Sequence, residues 1–233
     1  MQSRNPTAMT GAKTWQSLRE SSRILAVAIL GVVLFAWLAY MVSSGRAGAL
    51  DTFARGMVHG WSNPLLTRIM FVATFLGRTG FIAVVGAFFV WWLIKTGRRQ
   101  EALLLASGSV GAYLFMQILK LAFHRPRPDP FFGLQPPESY SFPSGHALLS
   151  TVFYVLLATL VTRNPVIRAA AVALAGLIGL SRIYLGVHYP TDVFAGYAAA
   201  LVCLSALTAA ANAKVRFRIR RMIEVSLGTG NKA

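Results

Sequence analysis

Nineteen consecutive residues, 24–42, carry no charge, and Arg19 and Arg23 stand just before them. No other feature limits the fold as strongly, because about 20 mostly apolar residues are what a helix needs to cross the hydrocarbon core of a bilayer. Residues 102–119 and 193–211 form two more such runs. Residues 80–94, 147–161 and 166–180 are shorter or interrupted, and each reaches spanning length by extending into its flanks. Residues 65–76 are apolar but too few to span. The expected fold is therefore all-α, a polytopic membrane protein with six transmembrane helices. Residues 45–78 are expected to form an extracytoplasmic connection with an interfacial or re-entrant helix.

Charge is understood only against that background. The 233 residues include 23 Lys and Arg but 7 Asp and Glu, a formal net charge of +16. A soluble nucleic-acid binder is the usual meaning of such an excess. Here, however, 55% of residues are hydrophobic and only 13% are charged, against about a quarter in a soluble domain. Disorder is excluded by the same hydrophobicity, and no nucleic-acid partner is expected. The single cysteine, Cys203, lies in an apolar run and rules out a cysteine-rich metal site.

Lys and Arg accumulate in cytoplasmic loops. One set of alternate segments holds Arg4, Lys13, Arg19, Arg23, Lys95, Arg98, Arg99, Arg163, Arg168 and six residues between Lys214 and Lys232. The other set holds eight: Arg46, Arg55, Arg68, Arg78, Lys120, Arg125, Arg127 and Arg182. Both termini are thus expected in the cytoplasm. A basic N-terminal tail covers 1–23, a six-span domain 24–211, and a basic C-terminal tail 212–233. The small residues at 47–49 resemble a signal cleavage site, but the apolar run before them exceeds the usual signal core of about 7–15 residues, so an uncleaved first span is expected. Alanine patches at 169–171 and 198–200 suit close helix packing.

Half of the outer charges are not incidental. Lys120 ends the third span and is followed by His124, Arg125 and Arg127, each arginine preceding a proline. Pro143-Ser144-Gly145-His146 opens the fourth span, and Arg182, His188 and Asp192 bracket the turn between the fifth and sixth. Singly, each has a plain explanation. Lys120 snorkels from a helix end, the Arg-Pro pairs stop a helix, Ser144 is an N-cap, and His188 bonds Asp192. Together they bring matched cations and histidines from three segments to one membrane face, where ionisable groups point to function. Such cations, with backbone N–H groups at a Ser-Gly helix start, suit a phosphate. Two histidines permit a double displacement, one imidazole attacking phosphorus and the other, protonated, serving the leaving oxygen. Asp192 is placed to bond the far ring nitrogen of the attacker. No metal or other cofactor is needed.

Lys120-x6-Arg127-Pro128, Pro143-Ser144-Gly145-His146 and Ser181-Arg182-x5-His188-x3-Asp192 together resemble the three-part signature of the type 2 phosphatidic acid phosphatase (PAP2) superfamily. The resemblance implies a helical core shared with vanadium haloperoxidases. It also implies Lys120, Arg127, Arg182, Ser144 and the Gly145 backbone as phosphate holders. His188 would be the nucleophile, Asp192 its orienting partner and His146 the general acid. His124 and Arg125 fall outside the strict motif and are assigned to the rim, and His59 is taken as interfacial.

The expected activity is metal-independent dephosphorylation of an amphiphilic lipid phosphate or diphosphate at the outer face of a bacterial-type inner membrane. Undecaprenyl diphosphate, phosphatidylglycerol phosphate and phosphatidic acid are the candidate types. Phe131, Phe132, Tyr140 and Phe142 suggest a mouth at the lipid interface. A phosphotransferase using the same intermediate, and a non-catalytic lipid-phosphate binding or transport protein, stand as alternatives.

Overall fold

The computed structural model describes the backbone of residues 6–226 except position 136, and the side chains of residues 19–213 with the same exception. Eight helices occupy the described residues: α1 (Pro6–Ser43), α2 (Gly48–Gly60), α3 (Pro64–Leu76), α4 (Thr79–Lys95), α5 (Arg99–Phe123), α6 (Gly145–Val161), α7 (Pro165–Tyr184) and α8 (Pro190–Ser226). Their starts follow elementary rules. Asn63 and Asn164 cap α3 and α7 by accepting from Leu66 N and Val166 N, each at 2.9 Å, and a proline takes the first helical position behind each cap. His124 ends α5 in the left-handed region at φ 46°, turning the chain into the Arg-Pro segment.

Four helical stretches are long and apolar enough to cross a bilayer: Arg19–Ser43, Arg99–Phe123, Pro165–Tyr184 and Pro190–Ala213. α3 and α4 pass that test only as a pair, bent by 56°. The bend lies where the sequence separates a short apolar segment from a longer one, at Gly77-Arg78. α6, at 17 residues, stands at the short end of the spanning range of about 17–25. The six runs named from the sequence are all helical, but length and apolarity alone give four spans, or five with the bent pair. Residues 45–78 hold two helices, α2 and α3. The basic residues from Lys214 to Lys232, and Arg4 and Lys13, lie outside the described side chains.

α6 is the axis of the bundle and packs against α5, α7 and α8, while α1 lies along α8 and α3 along α7. Leu105 of α5, Leu148, Val152 and Phe153 of α6, and Ala199 and Ala200 of α8 meet in the largest buried cluster. Close approach needs small residues: a Cβ at Gly31 would sit 2.9 Å from the Ala198 carbonyl oxygen, so α1 and α8 touch through their backbones. Ala198–Ala200 are buried, as close packing there requires. Residues 169–171 are not, since that end of α7 faces outward. Leu25, Ile29, Trp37, Val84, Phe88 and Ile118 are exposed, an apolar exterior suited to lipid.

The antiparallel neighbours gather the C-termini of α5 and α7 and the N-termini of α6 and α8 at one end, beside α2 and α3. An open cleft of about 310 Å³ lies at the other end, lined by residues including Arg98, Glu101 and Arg168. Two of its arginines are committed to closing α6: Arg98 donates to Leu160 O at 2.6 Å, and Arg168 to Thr162 O at 3.0 Å and Thr159 O at 3.1 Å. The titratable residues singled out from the sequence lie at the opposite end of the bundle, not in this cleft.

Candidate active site

His188 lies in the turn between α7 and α8 and is 1% exposed. Its two ring nitrogens face different partners. Nε2 is 3.0 Å from Arg127 Nη1; a guanidinium can only donate, so Nε2 must accept and the ring proton belongs on Nδ1. Nδ1 is 3.3 Å from Asp192 Oδ2 and 3.3 Å from Ser141 Oγ. Burial drives the His188 pKa well below the usual histidine value, and Arg127, Arg182 and Lys120 reinforce that shift. The result is a neutral imidazole with its Nε2 lone pair turned towards a guanidinium.

The cations arrive from separate elements. Arg127 is fixed by the connection after α5: Nε donates to Ser139 O at 2.6 Å, Nη2 to Ser139 Oγ at 3.0 Å, and Nη1 to Val187 O at 2.8 Å. Burial lowers its pKa to about 10, partly offset by Asp192, so it remains positive at neutral pH. Lys120, on the last turn of α5, is buried and donates to the Tyr140 carbonyl. Arg182, near the end of α7, is 8% exposed and donates through Nη1 to Thr74 Oγ1 of α3. His146, on the first turn of α6, is acted on electrostatically by Arg182, His188 and Arg127. The structure thus brings all eight expected residues to one end of the bundle.

Three buried atoms of this group have no hydrogen-bond partner among the described residues: Ser144 Oγ, His146 Nε2 and Arg182 Nε. Ser144 occupies the N-cap position of α6 without making a capping bond. The helix-cap account of its side chain therefore fails, and its hydroxyl is left for something else. Buried polar groups are normally satisfied, so these unpartnered polar atoms beside a neutral imidazole and three basic side chains suit an anion bearing several oxygens.

Four features are not apparent from the motifs. Arg125, assigned to the rim, is only 12% exposed and bonds inward: Nη1 to Asp192 Oδ1 at 2.6 Å and Nη2 to Asp51 Oδ2 at 2.7 Å. Burial opposes its charge, but Asp192 and Asp51 outweigh that and raise its pKa. Ser141 is fully buried and donates to Asp192 Oδ2 at 2.5 Å. Thr74, in a segment with no polar motif, supports Arg182. Asp51 of α2 is the fourth, and it has a signal: it is the only acid between Glu20 and Glu101. Of the aromatic mouth, Phe132 and Tyr140 are exposed and Phe131 stacks on His59 at 3.8 Å. Phe142 does not belong there; it is buried against Phe35 and Phe123.

The chain is similar to known proteins in sequence and in fold. The model of the PAP2 superfamily matches residues 101–216. Lipid A 1-phosphatase of Rhizobium johnstonii is 37% identical over 124 residues, covering 46% of this chain and 49% of that protein, so the chain spans about half the length of this relative. Phosphatidylglycerophosphatase B of Bacillus subtilis is 30% identical over 151 residues, covering 60% of this chain and 72% of that protein. Among solved structures, the transmembrane PAP2 type phosphatidylglycerolphosphate phosphatase from Bacillus subtilis superposes with a TM-score of 0.73 at 26% identity, covering 79% of this chain and 96% of that one.

Proposed function

The chain belongs to the PAP2 superfamily and is a multi-pass membrane protein, and from that premise we propose that it removes phosphate from a lipid phosphate or diphosphate through a phosphohistidine intermediate. The observation that carries the proposal is the ring geometry of His188, with Nε2 held as an acceptor and Nδ1 directed at Asp192. A phosphate bound by Lys120, Arg127, Arg182, Ser144 and the N-terminus of α6 presents its phosphorus to that lone pair. Nε2 forms a bond to phosphorus as the bond to the lipid oxygen breaks, and His146 gives the departing oxygen its proton. Asp192 stabilises the positive charge that develops on the His188 ring. Water then attacks the phosphorus, His146 takes the water's proton, the P–N bond breaks, and inorganic phosphate leaves with His188 restored.

Phosphoryl transfer requires charge stabilisation above all, and here side chains supply it. The site lies at the end of the bundle away from Lys95, Arg98 and Arg99, and the Lys/Arg bias makes that end extracytoplasmic, with both termini cytoplasmic. An amphiphilic substrate fits a site that opens among exposed Phe132 and Tyr140 in an apolar exterior. The relatives point to the same substrate class, one being a lipid A 1-phosphatase and another a phosphatidylglycerophosphatase.

The test is phosphate release from lipid monophosphates and diphosphates by the purified protein and by His188→Ala. Release by the native chain and none by a folded His188→Ala variant is expected. Full activity in the variant sinks the nucleophile assignment. Phosphate binding without release by the native chain would favour a lipid-phosphate binding protein.

A further inference from the structure

Asp51 lies on α2, outside the matched family region, yet it is completely buried beside the turn that carries His188. Its carboxylate oxygens bond Thr191, in the first turn of α8, and Arg125. Oδ1 accepts from Thr191 N at 3.0 Å, while Oδ2 accepts from Thr191 Oγ1 at 2.7 Å and from Arg125 Nη2 at 2.7 Å. Thr191 Oγ1 in turn accepts from Arg125 Nη1 at 2.8 Å, and that nitrogen also reaches Asp192 Oδ1. The chain of contacts runs Asp51, Arg125, Asp192, His188.

We infer that Asp51 is a positioning residue for the proposed phosphoryl transfer, holding Asp192 through Arg125 and Thr191 so that His188 keeps one tautomer and one orientation. The inference rests on the function proposed above. Its first support is charge. Arg125 alone would neutralise Asp192 and leave nothing to balance a positive ring. With Asp51 added, two carboxylates share one guanidinium, so Arg125 offsets only part of the Asp192 charge that faces His188. That charge is needed only when the ring gains a bond to phosphorus and becomes cationic. The second support is placement. Asp51 pins the backbone N–H of Thr191, the residue before Asp192, so α2 fixes where α8 begins. Ser141 and Tyr189 N, at 2.5 and 2.9 Å from Asp192 Oδ2, hold the other carboxylate oxygen. Both oxygens are therefore committed, and the carboxylate cannot rotate away from the ring.

The test compares the full-length native protein with Asp51→Asn and Thr191→Val in detergent micelles containing a short-chain phosphatidic acid. Two measurements are made: steady-state kinetics, and the ¹⁵N spectrum of histidine-labelled protein with the His188 signals identified by their loss in His188→Ala. Losing the outer partner of a metal-bound histidine typically costs about 10- to 100-fold in affinity or activity, and a loss of the same order is expected for this metal-free relay. Asp51→Asn is expected to lose that much in kcat with KM little changed, and to turn a single Nδ1-protonated His188 tautomer into a mixture. Thr191→Val, a gentler change, should move both readouts in the same direction and covers the case in which Asp51→Asn fails to fold. A residue that merely anchors α2 would lower the thermal midpoint and leave the tautomer alone. An unchanged His188 spectrum in a folded variant overturns the inference, whatever happens to kcat. If the native protein releases no phosphate from any lipid, the proposed function fails, and the histidine spectrum still decides whether Asp51 orients His188.

Discussion

Gly77, at the break between α3 and α4, bears directly on the proposed catalysis although it carries no chemistry. A Cβ there would lie 2.8 Å from His146 Cδ2 and closer still to Ile178 Cγ2. Carbon atoms pack comfortably at about 3.5–4.0 Å, so Gly77→Ala requires the imidazole to withdraw by about 1 Å. Ile178 is fully buried and has no room to retreat, which directs the adjustment towards the backbone of residue 77 and towards His146. A misplacement of about 1 Å at a reacting group costs about 100-fold in rate, equivalent to about 2.7 kcal/mol of barrier. Overpacking should also lower stability by about 1–3 kcal/mol. The assay compares kcat on a lipid phosphate, whose alkoxide leaving group needs a proton, with kcat on an aryl phosphate, whose phenoxide does not. The defect should be near 100-fold for the first and much smaller for the second. An equal loss on both substrates, or full activity in a folded variant, would refute the placement of His146 as the proton donor.

Other consequences follow from the same geometry. Activity should persist after EDTA treatment, because Lys120, Arg127 and Arg182 supply the charge; a strict requirement for added divalent metal would count against the mechanism. Replacing Arg127 by Lys removes the fork that bonds Ser139, Val187 and His188 at once, and should lower kcat/KM by about 100- to 1000-fold, the usual cost of losing a donor to the transition state. The depressed pKa of His188 also has a sign for stability. The unfolded chain takes up a proton near pH 6.5 that the folded ring refuses, so stability should fall as pH drops below about 6.5. Thermal midpoints between pH 8 and 5 measure this, and His188→Ala should flatten part of the slope.

Much of the site is legible in the amino-acid sequence, because its chemistry is written in local spacing. Lys120 to Arg127, Ser144 to His146 and Arg182 to Asp192 are short stretches at the ends of apolar runs, and helices with alternating directions must bring those ends together. Arg125 does not sit at the rim, and the reason is plain. In the Arg-Pro-Arg-Pro segment the backbone conformation decides which arginine points inward, and spacing does not encode it. Both do, one towards Asp192 and one towards His188. Ser141, Thr74 and Asp51 are invisible to motif spacing because each bonds across 51 or more positions of sequence.

The sequence by itself determined the environment and the candidate reacting groups. Long uncharged runs have to sit in lipid as helices, since no other structure there satisfies the backbone of an unpaired segment. The short motifs at their ends fix which side chains are available to a phosphate. Only the tertiary structure decided how those groups are held. The bend after α3 brings Thr74 to Arg182 and Gly77 against His146, and α2 folds back to place a lone carboxylate under the Arg125–Asp192 pair. Hydrogen bonds act over about 3 Å, a distance that composition and periodicity do not specify between residues far apart in the chain.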